Sequence, residues 1–290
     1  MSFSIAHLGP PGTNTETAAL AYTQWLQQSQ GQESILCPYP SIAQTLQAVA
    51  KQEADFAVVP VENSTEGSVT ITLDTLWQLE TLQIQKALVL PITHSLLSYA
   101  FSLKEIKTVY SHPQALAQCQ NVLETYLPHV QLVPTASTVE ALQYLTQDPH
   151  NENNEKNGAI ASSRASELYN LPILMSSLND YPDNCTRFWV MGLEAATSGT
   201  YLSLGFTTPV NEPGALVRPL AVFAEREINL TRIESRPTKR SLGEYLFFID
   251  IEGNAAQPHV KAALADLPQY TEVLKIFGNY DVLSISYLSQ

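Results

Sequence analysis

Apolar and polar positions in the first two-thirds of the chain alternate between short extended runs and amphipathic helical stretches. Residues 3–8 read as a strand that stops at Gly9-Pro10-Pro11-Gly12. Thr13-Asn14-Thr15-Glu16 then has capping-box spacing, and Ala18, Ala19, Tyr22 and Leu26 recur at helical intervals. Residues 41–50 predict a helix through Ile42, Leu46 and Val49. Residues 56–61 predict a buried strand that empties into Glu62-Asn63-Ser64-Thr65-Glu66-Gly67-Ser68, and the next helix carries Val69, Leu73, Leu76 and Trp77 on one face. Residues 88–92 predict a core strand placed to cross between two lobes. Residues 108–110 lead into Ser111-His112-Pro113-Gln114 and a helix with Leu116, Cys119, Leu123 and Tyr126 inward. Residues 148–157 read as a solvated loop, 158–162 as a short buried strand, and the following helix runs through Ala165 and Leu168. Ile173-Leu174 and a polar turn at 179–183 then feed Asn184-Cys185-Thr186-Arg187-Phe188 and a buried strand to Met191.

Strand–helix alternation through residue 192 argues for a mostly parallel α/β arrangement. Residues 193–199 are small and polar, a linker, and beyond them the pattern resets. A strand at 201–206, a helix at 213–227 with Leu216, Leu220 and Phe223 inward, and an extended segment at 230–235 come first. A strand at 245–251, a helix at 259–267 and a strand at 273–277 complete a βαββαβ order. That order predicts an α+β ferredoxin-like domain at 200–290.

Composition narrows the function. The 290 residues are 44% hydrophobic and 15% charged, and 28 acids against 15 bases leave a net charge of −13. Such a surface repels nucleic acid and anionic membrane. No secretory leader or bilayer-length apolar run is present, and Cys37, Cys119 and Cys185 lie far apart without a CxxC pair. A reducing cytoplasm is the expected setting. The six histidines have no metal-ligand spacing, and the first glycine-rich turn is neither GxGxxG nor a P-loop. No metal and no cofactor are expected.

The candidate chemistry sits at three strand-to-helix junctions, around Thr13, around Glu62 to Ser68, and around Ser111 to Gln118. Each offers hydroxyls, amides and unpaired backbone N–H groups. A plain βα turn accounts for the first junction equally well, and helix-start charge accounts for Glu66 but poorly for Glu62 and Asn63. His112 reads either as a base or as a helix cap, and Gln118 falls off the apolar stripe of its helix. Residues 1–192 hold seven Lys and Arg against seventeen Asp and Glu. A carboxylated substrate there would be held by helix N-termini and hydroxyls, with Arg187 the natural cation. A site of low charge also suits decarboxylation.

Gly9-Pro10-Pro11-Gly12-Thr13, Pro60-Val61-Glu62-Asn63-Ser64, Ser111-His112-Pro113-Gln114 and Asn184-Cys185-Thr186-Arg187-Phe188 occur in the order seen in the prephenate dehydratase family. Pro213-Gly214-Ala215-Leu216, Asn229-Leu230-Thr231 and Glu234-Ser235-Arg236-Pro237 resemble the ACT regulatory domain of those enzymes. Two small departures are Val61, where Ile is common, and Cys185, at a variable, usually apolar or aromatic position. The resemblance implies a catalytic domain at 1–192 similar to type 2 periplasmic binding proteins. Lobe 1 would be about 1–92 and 173–192, and lobe 2 about 93–172.

The resemblance also implies conversion of prephenate to phenylpyruvate, water and carbon dioxide. Thr186 matches the essential hydroxyl, with Arg187 beside it, and Glu62 matches a cleft position, with Glu62 or water the candidate proton source. Thr13, Asn63, Ser64, Ser111 and Gln118 match substrate-binding positions. L-Phenylalanine is expected between ACT domains of a homodimer or homotetramer, at Asn211, Pro213, Gly214, Ala215, Leu216, Asn229, Leu230, Glu234 and Ser235. Arogenate is the rival substrate, and a non-catalytic amino-acid sensor the rival class. No fused chorismate mutase is expected, because the first motif begins within ten residues of Met1.

Overall fold

The structure, a computed structural model, describes residues 2–146 and 156–285. Most of the polar segment expected at 148–157 therefore lies outside the described residues.

Lobe 1 comprises β1 (Phe3–Leu8), α1 (Asn14–Gln30), β2 (Ser34–Tyr39), α2 (Ile42–Ala50), β3 (Phe56–Asn63), β4 (Gly67–Ser68), α3 (Thr70–Gln78) and β5 (Gln83–Pro91). The chain then crosses to lobe 2. There it forms β6 (Ser95–Leu97), β7 (Thr108–Ser111), α4 (Pro113–Ala117), α5 (Gln120–Tyr126), β8 (Gln131–Pro134), α6 (Thr138–Thr146), β9 (Asn157–Ala161), α7 (Ser163–Tyr169) and β10 (Ile173–Met175). It returns as β11 (Cys185–Gly192), which inserts antiparallel between β3 and β5. The two crossings give the two-lobed architecture expected. The second falls later than expected, since β10 pairs with β6 inside the lobe 2 sheet, ordered β10-β6-β9-β7-β8.

The C-terminal domain has β12 (Tyr201–Thr207), α8 (Val217–Ala224), β13 (Leu230–Pro237), β14 (Tyr245–Glu252), α9 (Pro258–Asp266) and β15 (Val273–Tyr280), with sheet order β13-β14-β12-β15. This is the ferredoxin-like order. Helix α8 starts later than the expected Pro213, because Gly214 adopts φ +86° and holds a turn ahead of it. The expected domain at 200–290 also gives up a strand: β16 (Val282–Ser284) pairs parallel to β5 in the lobe 1 sheet.

The linker does not keep the two domains apart. One face of the C-terminal sheet carries Leu202, Leu204, Phe206, Ile249 and Ile251 under α8 and α9. Its other face puts Leu246, Phe248, Phe277 and Tyr280 into the same core as Leu73, Leu76, Trp189 and Met191 of lobe 1. Trp77 stacks edge-on against Phe248, and a Cβ on Gly205 would stand 3.2 Å from the Trp77 ring. Glycine there leaves room for the indole against the strand. Asp74 of α3 closes the seam with a two-pronged pair to Arg236 Nε and Nη2 (3.0 and 3.1 Å) and a contact to Lys239 Nζ (2.7 Å).

Candidate active site between the lobes

The cleft between the lobes, about 430 Å³, is built from strand ends and helix starts. From lobe 1 come Thr13, Asn14 and Thr15 at the start of α1, with Asn63 and Thr186 at the paired ends of β3 and β11. From lobe 2 come His112, Gln114 and Ala115 at α4, Gln118 after it, and Ala136, Ser137 and Thr138 at α6. Among the described residues no Lys or Arg lines it.

Local sequence explains each helix start. Thr13 Oγ1 accepts from the Glu16 amide (3.2 Å), while the Glu16 carboxylate accepts from Gly12 N–H (2.6 Å). Gly12 adopts φ +93°, which glycine alone takes without strain, and this turns α1 toward the cleft. His112 Nδ1 accepts from Gln114 N–H (3.2 Å), so the capping reading holds while the ring also lines the cleft. Ser137 Oγ accepts from Glu140 N–H (2.9 Å) at α6. The α6 junction was not anticipated from sequence, although Ser137-x-x-Glu140 before Val139, Leu142 and Leu145 carries its signal.

The expected helix through Leu116 to Tyr126 is broken at Gln118-Cys119. Asp180 accounts for the break: its carboxylate accepts from the Asn121 and Val122 amides (3.0 and 3.1 Å), and its own N–H donates to Gln118 C=O (2.8 Å). Cys119 stays in the core as expected, whereas Tyr126 and Leu168 are exposed.

A chain of buried side-chain amides joins the lobes. Asn63 Nδ2 donates to Asn184 Oδ1 (2.8 Å), Thr186 Oγ1 (2.9 Å) and Cys185 C=O (3.2 Å). Its Oδ1 accepts from Thr65 N–H, Thr65 Oγ1 and Glu66 N–H, which fixes the amide's orientation. Asn184 Nδ2 donates to Gln118 Oε1 (3.0 Å), and His94 Nε2 lies 2.9 Å from the same oxygen. With Gln118 Oε1 an acceptor, His94 carries its proton on Nε2. Burial holds the His94 pKa below the usual histidine range, against the raising effect of the Gln118 contact, so the ring is neutral. The sequence assigns no role of its own to Asn184 within its motif, and none to His94. His94 looked like one scattered histidine, and only the lobe crossing at Ile92 to His94 brings it to Gln118.

Thr186 is 9% exposed, and its Oγ1 is engaged as an acceptor from Asn63. Its hydroxyl hydrogen is thereby free for a ligand in the cleft.

Other expected residues lie elsewhere. Ser111 is fully buried in lobe 2, where its Oγ donates to Ile160 C=O (2.7 Å). Ser64 clasps the strand ends: its Oγ accepts from Cys185 N–H (3.0 Å) and its N–H donates to Cys185 C=O (2.9 Å). Arg187 and Glu62 face each other across the ladder one residue beyond the Thr186–Asn63 pair, so the pleat turns both to the other face of the sheet. There Arg187 Nη1 stands 3.6 Å from Glu62 and 3.6 Å from Asp250 of the C-terminal domain.

In the C-terminal domain, Asn211 Nδ2 donates to Gly243 C=O (3.1 Å). Pro213, Gly214, Ala215 and Leu216 form the turn before α8, stapled by Ala215 N–H to Glu212 C=O (3.0 Å). Asn229 C=O accepts from Glu252 N–H, and Leu230 opens the edge strand β13. Glu234 accepts from Ser68 Oγ (3.0 Å) and so faces lobe 1, while Ser235 is exposed on the opposite face. The expected regulatory residues are therefore split between two faces of that strand.

Among the described residues no group of three His, Cys, Asp or Glu side chains is arranged to hold a metal. No helix among them is long and apolar enough to cross a membrane. Residues 5–196 match the sequence profile of the family described as prephenate dehydratase, and residues 203–269 that of the ACT domain. Prephenate dehydratase of Lactococcus lactis subsp. cremoris is 35% identical over 97% of this chain and 98% of its own. The crystal structure of prephenate dehydratase from Arthrobacter aurescens, in complex with L-Phe, superposes with a TM-score of 0.83 at 33% identity, covering 96% of this chain and 90% of that one. A structure described as GqqA, a quorum quenching acylase, gives a TM-score of 0.79 at 27% identity over 97% of this chain and 98% of that one.

Proposed function

The chain belongs to the prephenate dehydratase family, and from that premise we propose that it is a lyase that converts prephenate to phenylpyruvate. The observation that carries the reading is the direction of one hydrogen bond. Asn63 Nδ2 donates to Thr186 Oγ1, so the threonine's own hydrogen is presented to the cleft.

Prephenate loses a ring carboxylate as carbon dioxide while the electron pair of the broken C–C bond enters the ring and the C4–O bond breaks. Aromatisation supplies the driving force. The protein's task is to hold a dianion and assist the departing oxygen, which leaves as water once protonated. The amide-rich starts of α1 and α6 hold carboxylates without a cation, as the Lys- and Arg-free lining requires. Thr186 donates to the leaving oxygen, and positioned acid catalysis of this kind contributes about 10²–10⁴-fold. A threonine hydroxyl is a weak acid, so its role is donor or relay. Glu62, turned to the other face, is not the proton source. An acylase reaction would instead need a base to activate Thr186, whereas its hydrogen-bond partner Asn63 Nδ2 is a donor.

Regulation by L-phenylalanine at an ACT–ACT interface of a homo-oligomer is part of the same proposal. The edge of β13, which no other strand among the described residues pairs, with Ile233 and Ser235 exposed, supports it. Incubation of the purified protein with prephenate and, separately, arogenate tests the reading. Phenylpyruvate from prephenate is expected. Phenylalanine formed faster from arogenate would reassign the substrate, and turnover of neither would leave a binding protein.

A further inference from the structure

Asp250 is a carboxylate at 0% exposure, and among the described residues neither of its oxygens accepts a hydrogen bond. Buried carboxylates left in that condition are costly, and one retained in a native interior asks for a reason. Its neighbours are two guanidiniums at ion-pair distance: Arg187 Nη1 from the catalytic domain and Arg232 Nη1 from its own, each 3.6 Å from Oδ2. Arg187 Nε and Arg232 Nε are buried and unpaired as well. Asp250 faces Arg232 across one side of β14 and Ser203 across the other, so a polar row crosses the C-terminal sheet and meets Arg187 of β11 at its middle.

The row touches the cleft from behind at two points. Arg187 directly follows Thr186, and side chains alternate along a strand. Drawing Arg187 toward Asp250 therefore sets how Thr186 is presented on the opposite face. A register irregularity lies between Arg187 and Phe188 in the β11–β3 ladder, while the β11–β5 ladder keeps its register from Cys185 to Val190. The second point is Ser68 of β4, whose Oγ accepts from Arg232 Nη2 (3.0 Å) and donates to Glu234 (3.0 Å). Strand β4 pairs with β3 at Glu62 and Asn63. Two arms from the C-terminal sheet thus converge on the Asn63–Thr186 hydrogen bond.

We propose that Asp250 of the C-terminal domain is a positioning residue for the dehydration, acting through Arg187 to hold Thr186 against Asn63. The inference rests on the function proposed above. Arg187 then serves the reaction from outside the cleft, anchoring the strand that carries the donor. Its own contacts with Glu62 and Asp250 at 3.6 Å are ion pairs without hydrogen bonds, so a small shift of the C-terminal sheet alters Arg187 before it disturbs any apolar packing.

Steady-state kinetics on prephenate with the full-length wild type, Asp250→Asn, Arg187→Gln and the double variant test this, with Thr186→Val as reference. Asp250→Asn and Arg187→Gln should each lower kcat about 10- to 100-fold, the scale of a misplacement of about 1 Å. KM should change by less than about twofold, because neither side chain lines the cleft. The double variant should be no slower than the slower single, since both act along one route. Wild-type kcat in Arg187→Gln overturns the proposal whether or not Asp250→Asn folds, and so do single effects that multiply in the double variant. A wild type that does not turn over prephenate overturns the proposed function itself, which separates the two failures.

Discussion

Thr186→Val separates catalysis from stability because of the way Asn63 is satisfied. The Asn63 amide has two N–H hydrogens and three acceptors in reach: Asn184 Oδ1 at 2.8 Å, Thr186 Oγ1 at 2.9 Å and Cys185 C=O at 3.2 Å. Deleting the threonine oxygen leaves two acceptors for two hydrogens, so no buried donor is orphaned. Valine keeps the branched shape, and the expected loss of stability is that of one ordinary hydrogen bond, about 0.5–1.5 kcal/mol. Turnover has no such reserve, since Thr65, the other hydroxyl that Asn63 holds among the described residues, does not line the cleft. A fall in kcat of about 10²–10⁴-fold is expected, which is about 3–5 kcal/mol of barrier. Thr186→Ser should restore most of it. The assay is phenylpyruvate formation at saturating prephenate, with urea unfolding of the same preparations. A valine variant within tenfold, roughly, of wild-type kcat would refute the donor role. A stability loss well above about 3 kcal/mol would refute the hydrogen-bond accounting.

Three further outcomes follow from the same contacts. Burial lowers the pKa of both His94 and His7, so below about pH 6.5 the unfolded chain takes up protons that the folded one refuses. Stability therefore declines as pH falls through that value toward the folded pKa values. Urea midpoints at about pH 7.5, 6.5 and 5.5 read the decline, and His94→Gln should flatten it. For Asp74, burial pushes the carboxyl up, but the Arg236 and Lys239 hydrogen bonds outweigh it and the pKa is lowered overall. Its contribution is present above the usual carboxylate range and is lost as pH falls through the folded value. Asp74→Asn should weaken domain docking by about 1.5–3 kcal/mol, seen as faster proteolysis of the 193–199 linker at neutral pH. Asp180→Ala removes the cap on α5 at a cost of about 0.5–2 kcal/mol. It should raise KM for prephenate by freeing the segment that carries Gln118.

Much of this protein was legible residue by residue. Capping at Thr13, the apolar spacing of α1 to α3 and the βαββαβ order of the C-terminal domain are local signals, set by hydrogen bonds and periodicities within a few residues. The shortage of cations predicts a cleft lined by helix starts and hydroxyls, and Asn63, Thr186, Thr13 and Gln118 do line it. Motifs, however, list neighbours in sequence without saying which face each side chain takes. Glu62 and Arg187 flank Asn63 and Thr186 in the chain, and the two-residue pleat sends them to the opposite side of the sheet. Ser111 is likewise turned inward, and Asp180 breaks a helix whose apolar spacing reads as continuous.

By itself, then, the sequence determined many of the elements, the two kinds of domain and the family, because these depend on local pattern and ordered motifs. Only the tertiary structure decided that β16 returns to the lobe 1 sheet, that His94 and Asn184 complete the cleft network, and that Asp250 pairs with Arg187. Those are contacts between residues about 24 to 200 positions apart, fixed by how sheets stack and which face of a strand is covered.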